Sequence, residues 1–228
     1  MLANYNPFER EELAAAYDQW YESPLGAFVE AQELAALQRL VERLERNQPI
    51  VEVGAGTGRV AAWLAQLGFR VIAVEPASAM RRYGEQRTAG LPVQWVAAHA
   101  SLLPFPDNSQ TAVLMFATLE FVAEPLWALR EALRVLQPGG VLLLGILHAH
   151  SPWAALYCWL GRRGELPWSY ARFYTPEELE QLLGFPPEAR AESIYCAPGA
   201  QAPYEEADAA GLRAGNPPAM VILQWRKP

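Results

Sequence analysis

The run Ile50-Val51-Glu52-Val53-Gly54-Ala55-Gly56-Thr57-Gly58-Arg59-Val60 constrains this chain more than any other stretch. A β-branched, apolar segment ends in three glycines at alternate positions, and an amphipathic segment from Arg59 to Leu67 follows at once. The pattern predicts a strand, a tight turn and a helix start. Glycine suits the turn because a residue without Cβ lets the backbone bend sharply and approach a ligand closely. Turn amides and the helix N-terminus then offer donors to a polar or anionic group. Val71-Ile72-Ala73-Val74-Glu75 reads as a second buried strand ending in a carboxylate. An acid at that place commonly accepts both hydroxyls of a ribose. The segment after Pro49 therefore predicts a pocket for a nucleoside-containing cofactor.

Spacing separates the candidate cofactors. The dinucleotide fingerprint G-x-G-x-x-G would put its third glycine at position 59, but position 59 is Arg and the third glycine comes at Gly58. The order Glu52-x-Gly54-x-Gly56-x-Gly58 resembles motif I of the class I S-adenosylmethionine-dependent methyltransferases. Four further segments match that family in order. Val74-Glu75-Pro76-Ala77-Ser78-Ala79-Met80 resembles its second-strand motif, and Leu103-Pro104-Phe105-Pro106-Asp107 the loop before its fourth strand. Thr118-Leu119-Glu120-Phe121-Val122 stands where its motif after strand four does, and Leu129 to Leu144, with Pro138-Gly139-Gly140 inside, resembles its helix–turn–strand-five unit. The resemblance spans residues 49–147, with a weaker echo at Arg172 to Leu183. Within the family it is closest to the type 11 group that includes the ubiquinone and menaquinone biosynthetic enzymes. It implies an α/β, Rossmann-like, seven-stranded and mostly parallel sheet with helices on both faces, in strand order 3-2-1-4-5-7-6.

Composition narrows the reading. A chain of 228 residues with 52% apolar content suits one domain with a sizeable core. Net charge is −7 and no Lys/Arg cluster exceeds a pair, so a nucleic-acid footprint is not expected. The amino terminus lacks the basic flank and apolar core of a signal peptide, and the longest apolar run, Val141 to Leu147, is far too short to span a bilayer. Cys158 and Cys196 lack zinc-ligand spacing and read as free thiols in a reducing cytoplasm.

The expected organisation is a single domain in four parts: residues 1–46 as amino-terminal helices, 47–147 as the cofactor-binding core, 148–174 as an insertion, and 175–228 as a last helix and two strands. The amino-terminal helices are expected at 9–22 and from Gly26 to Arg46, where Leu34, Leu37, Leu40, Val41 and Leu44 share a face. Strands are expected near 50–54, 70–75, 92–97, 111–117, 140–147, 190–196 and 219–226, the last inserted antiparallel if the family topology holds. Helices are expected near 57–67, 77–88, 124–136 and 151–161, with a further one started by Thr175 and Pro176-Glu177-Glu178. The stretch 197–218, rich in Pro, Gly and Ala, reads by default as a flexible surface excursion.

Ligands of open parallel sheets bind outside the carboxyl ends of the strands. By resemblance, the loop Gly54-Ala55-Gly56-Thr57-Gly58 holds the methionine part of S-adenosylmethionine, Glu52 orients it, and Glu75 takes the ribose. Pro76, Met80, His99, Ala100 and Ser101 line the adenine, and Ala117 closes the rim. Met80 fits core packing equally well. His99 departs from the family's usual Asp, and reads either as an adenine contact or as an exposed loop histidine. Thr111 departs in the same way at the start of strand four, a structural position.

On the acceptor side the candidates are Tyr17, Trp20 and Tyr21 in the amino-terminal helix, Glu120 after strand four, His148 at the end of strand five, and Arg172. Each has a plainer reading as a packing residue, a strand cap or, for Arg172, a surface ion pair with Glu177 or Glu178. With Trp153, Tyr157, Trp159, Trp168 and Tyr174, the aromatics supply two groups suited to covering a sulfonium and an apolar acceptor. His148-Ala149-His150 lacks convergent partners, so no metal is expected. The function read from all this is methyl transfer to a small-molecule acceptor, with S-adenosylhomocysteine as product. The rivals are an NAD-linked oxidoreductase and a cofactor-binding protein without catalysis. Neither the acceptor, nor the atom methylated, nor the oligomeric state is legible.

Overall fold

The structure is a computed structural model describing residues 6–228; the first five residues of the amino-terminal part lie outside it. Seven strands form one sheet: β1 (Ile50–Val53), β2 (Val71–Val74), β3 (Val93–Val96), β4 (Gln110–Phe116), β5 (Leu136–Leu147), β6 (Ala189–Ser193) and β7 (Met220–Arg226). Their order is β3-β2-β1-β4-β5-β7-β6. The first five are parallel to one another, whereas β7 runs antiparallel to both β5 and β6. Among the described residues eight α-helices accompany them: α1 (Glu11–Glu22), α2 (Pro24–Val41), α3 (Arg59–Gln66), α4 (Ser78–Arg87), α5 (Pro125–Val135), α6 (Pro152–Arg162), α7 (Pro176–Leu183) and α8 (Tyr204–Arg213).

Period-two alternation divides the strands between two layers. Ile50, Ala73, Leu114, Leu143 and Ile222 face Leu37, Leu40 and Leu64 of α2 and α3. Val51, Val53, Val113, Leu142, Leu144 and Trp225 face Leu129 and Leu179 of α5 and α7. The strands are apolar on both faces because helices cover both. A smaller cluster joins Ala14 of α1 to Ala77, Ala79 and Met80 at the start of α4, with Tyr17 against it. This third contact lays α1 across the carboxyl end of the sheet.

Helix starts follow local chemistry. Ser23, Ser151 and Thr175 each accept a first-turn amide and precede proline, and Thr175 completes a capping box with Glu178. Two expectations need correction. The second helix ends at Val41, not Arg46, because the Arg43 and Leu44 amides turn back to Leu40 and Val41 in a tightened turn. The stretch 197–218 is not a loose excursion: it contains α8, whose Asp208 accepts the Tyr195 and Cys196 amides at 2.5 and 2.9 Å. Asn216 returns a hydrogen bond to the Tyr195 carbonyl at 3.0 Å. No described helix is long and apolar enough to cross a membrane.

Candidate functional site

Three glycines shape the turn after β1, each for its own reason. Gly54, Gly56 and Gly58 all have positive φ, of +75°, +54° and +74°. A Cβ at Gly54 would collide with the Thr118 side chain, and one at Gly58 with the Trp95 ring. At Gly56 a Cβ would meet nothing within 4 Å. Only Gly56 therefore keeps open space above the turn; its neighbours let the turn pack against β4 and β3.

Glu75 closes the turn from β2. One of its oxygens accepts the Gly56 amide and the other the Ala77 amide, each at 2.9 Å. Burial raises its carboxyl pKa, and the two amides oppose that rise. Glu52 projects from β1 nearby, 3% exposed, with Oε2 lacking any hydrogen-bond partner. Its carboxyl is pushed up to about 8, chiefly by burial and next by Glu75. At the end of β4, Ala117 adopts φ +48°, a costly conformation for a residue with Cβ. The Gly54 loop, Glu75, Pro76 and Ala117 thus meet at the sheet's carboxyl rim.

Met80 is 2% exposed and packs under α1 with Ala14 and Tyr17, so its place is in the core beneath the rim. His99 is exposed and makes a main-chain bridge with Leu102, and nothing ties its ring to the Gly54 loop. Ala100 and Ser101 follow it, half-buried.

The amino-terminal helix is fastened over the loop by charge. Asp18 accepts the Thr57 hydroxyl at 2.7 Å and pairs with Arg87 at 2.6 Å. Arg59 stands 3.5 Å from the same carboxylate and grips Glu30 with two hydrogen bonds of 2.6 Å. Its guanidinium also covers the Tyr21 ring at 4.6 Å. Glu9 accepts the Ser78 amide and hydroxyl at the start of α4, and Glu11 pairs with Arg82. None of these pairings was legible in the sequence. Arg59, noted only as the residue that breaks the dinucleotide pattern, turns out to be the hub.

The two aromatic groups expected from the sequence form one chain of ring contacts. Tyr17 meets Tyr21 at 5.2 Å, Tyr21 meets Trp20 at 4.7 Å, and Trp20 meets Trp153 at 6.1 Å. Trp153 leads to Tyr157 at 6.0 Å, Tyr157 stacks on Trp168 at 3.6 Å, and Trp168 reaches Phe121 at 6.0 Å. Trp159, exposed with Arg163 over its ring, and Tyr174, buried in the layer of α5 and α7, stay outside it.

Glu120 sits beneath this chain, 1% exposed; Oε1 accepts the Leu147 amide at 2.7 Å while Oε2 has no partner. Burial pushes its carboxyl up to about 7. Glu33, which sequence reasoning missed, is 6% exposed in the middle of α2, and burial pushes it up to about 8. It stands four residues from both Val29 and Leu37, interrupting an apolar stripe, and that interruption was the available signal. His148 caps β5 with Nδ1 unpartnered and its ring 5.5 Å from His150; burial lowers its pKa. Arg172 is exposed, 3.9 Å from Glu178 and over the Tyr174 ring, so the surface-pair reading holds for its side chain. Among the described residues, no group of three or more His, Cys, Asp or Glu could hold a metal. Two open surface clefts, one beside α7 and one between Leu13 and Leu166, include none of the rim residues.

Comparison with known proteins agrees with this geometry. A family described as a methyltransferase domain matches residues 51–144. An uncharacterized protein of Mycobacterium tuberculosis is 40% identical over 205 residues, covering 89% of this chain and 68% of its own. A demethylmenaquinone methyltransferase of Clavibacter sepedonicus is 42% identical over 99 residues, 43% of this chain and 40% of that one. The solved structure of a Thermotoga maritima S-adenosylmethionine-dependent methyltransferase, described as a possible histamine N-methyltransferase, is 26% identical. It superposes with a TM-score of 0.76, covering 98% of this chain and all of that one. Sheet order, glycine turn and relatives agree: the chain belongs to the S-adenosylmethionine-dependent methyltransferases.

Proposed function

We propose that this methyltransferase acts on a small-molecule acceptor by direct displacement, with the cofactor seated on the Gly54–Gly58 turn. The observation that carries the placement is the open space above Gly56 beside a buried carboxylate, Glu75. The residues present fit the cofactor. Each Glu75 oxygen uses one lone pair on an amide and keeps another for a ribose hydroxyl. The unpartnered Oε2 of Glu52 suits the cationic amino-acid end. His99, as oriented, supports only a weak adenine contact, with Pro76, Ala100 and Ser101 the better candidates.

The chemistry supplied by the bound cofactor is an electrophilic methyl on a sulfonium that is its own leaving group. The chain's contribution is to orient and to exclude water. The Gly54–Gly58 backbone fixes the donor's polar end. Helix α1, pinned through Asp18, and α6 with its aromatic contacts cover the rim that the sheet alone leaves open.

Calorimetry tests the reading. S-adenosylhomocysteine should bind and NAD should not, and Gly56→Val should abolish binding because its side chain would fill the open space. Tight NAD binding with no response to S-adenosylhomocysteine would overturn it.

A further inference from the structure

We propose that the acceptor side of this site is built for a basic amine, held between Glu33 and Glu120 and walled by Tyr17, Tyr21 and Tyr157. The proposal rests on the methyltransferase reading and names its acceptor class.

Glu33 is more than nine-tenths buried, yet among the described residues no hydrogen bond or ion pair reaches its carboxylate. The nearby cation, Arg59, is already committed to Glu30 and Asp18. Glu120 is buried more deeply, and its Oε2 is likewise unpartnered. Glu120 disfavours the charge of Glu33 and raises its pKa further. Burying one unpaired carboxylate is costly, and a second acid within electrostatic reach adds to the cost. Such groups find their partner in a ligand.

The walls narrow that ligand. Tyr17 and Tyr21 bring their hydroxyls within 3.4 Å of each other. Both rings, with that of Tyr157, lie within electrostatic reach of Glu33. Tyrosine faces attract a cation, and an ammonium brings both the charge and the several N–H donors that two carboxylates need. A phenol or alcohol brings a single donor and no charge.

The same pair sets the proton balance of binding. As the ammonium settles, the Glu33 O–H bond breaks, its proton leaves to solvent, and the carboxylate that remains pairs with the ammonium. Burial prepares this exchange, because the empty site's Glu33 carboxyl, pushed up to about 8, holds near pH 7 a proton that an exposed glutamate would have released. The groups acting on Glu33 are Glu30 of its own helix, Arg59 of α3, Glu120, the two tyrosines of α1 and Tyr157 of α6.

Calorimetry of the full chain, with and without saturating S-adenosylhomocysteine, tests the proposal. The probes are benzylamine, phenethylamine and 3-phenylpropylamine, each beside its alcohol isostere. At least one amine should bind about tenfold or more tighter than its alcohol. It should release about one proton per site near pH 7, read from buffers of different ionisation enthalpy. Glu33→Gln should remove both the preference and the proton release, and Glu33→Asp should restore part of the preference. In Glu33→Gln, S-adenosylhomocysteine affinity and the thermal midpoint should not fall. Failure of every amine, equal binding of amine and alcohol, or unchanged amine binding in Glu33→Gln each overturns the proposal. Loss of S-adenosylhomocysteine binding by the parent protein would instead strike the methyltransferase reading, while the titrations without it still report on this pocket.

Discussion

Glu75 holds the site together before any ligand arrives. Its two oxygens tie the glycine turn to the start of α4, so Glu75→Ala leaves two amides unsatisfied at a largely buried place. The substitution should lower stability by about 1–3 kcal/mol. It should also weaken S-adenosylhomocysteine binding by tens-fold to over a hundred-fold, since charge-assisted hydrogen bonds to the ribose are each worth about 1.5–3 kcal/mol. Calorimetry and thermal melts separate the two effects, and an unchanged affinity would mean that the carboxylate serves the fold alone. Glu52 makes a different prediction. Its folded-state carboxyl lies near 8, above the ordinary 4.5, so the native chain keeps a proton that the unfolded chain has released. That contribution to stability is full below about pH 4.5 and is lost as pH rises through about 8. Glu52→Gln, uncharged and of the same shape, should raise the thermal midpoint at pH 8 and leave it nearly unchanged at pH 4. If parent and variant lose the same number of degrees over that range, another group titrates.

Helix α1 is joined to the core by few but partly shielded contacts, centred on Asp18, whose side chain is 14% exposed. Such a pair is worth more than a surface one and less than a buried network. Asp18→Asn should speed amide exchange across residues 11–22, and deletion of residues 1–22 should impair methyl transfer more than it impairs folding. In the parent, Tyr17 to Tyr21 should become more protected when S-adenosylhomocysteine binds. Identical exchange with and without ligand, together with full activity of the truncated chain, would make these aromatics packing residues only. At this scale the sequence was readable wherever the signal was local. The glycine turn, the strand-end acid and the Thr175 cap all announce themselves within a few residues. Asp18, Glu30 and Arg59 did not, because their meaning comes from partners 29 to 69 positions away. Helix α8 was hidden for the same reason: its alanines favour a helix but Gly211 and the prolines and glycines on either side mask them, and Asp208 finds its two amides 12 and 13 residues back, outside the helix. Glu33 lay inside a stripe already counted as core.

On the scale of the whole molecule, the net charge of −7 has a local counterpart. Glu33, Glu52, Glu75 and Glu120 are all buried, and in each the pKa is raised. A cationic cofactor and a cationic acceptor would both relieve that crowding. The sheet sets the frame, and its far half depends on one strand. Strand β6 is paired with β7 and with no other strand. Removing residues 219–228 should therefore strip both strands from the sheet and abolish cooperative thermal unfolding. A truncated chain that still melted in one sharp transition would show that β1 to β5 suffice.

The antiparallel insertion of β7 also sets an order of events during synthesis. Of the seven strands it is the last to leave the ribosome, yet its place is between two strands made earlier. Until it emerges, the apolar edge of β5, Leu142 to Ile146, has no neighbour on that side. A nascent chain of this protein therefore carries an open, sticky strand edge while residues 148–219 are made, and any pause before Met220 lengthens its exposure to aggregation and to chaperones.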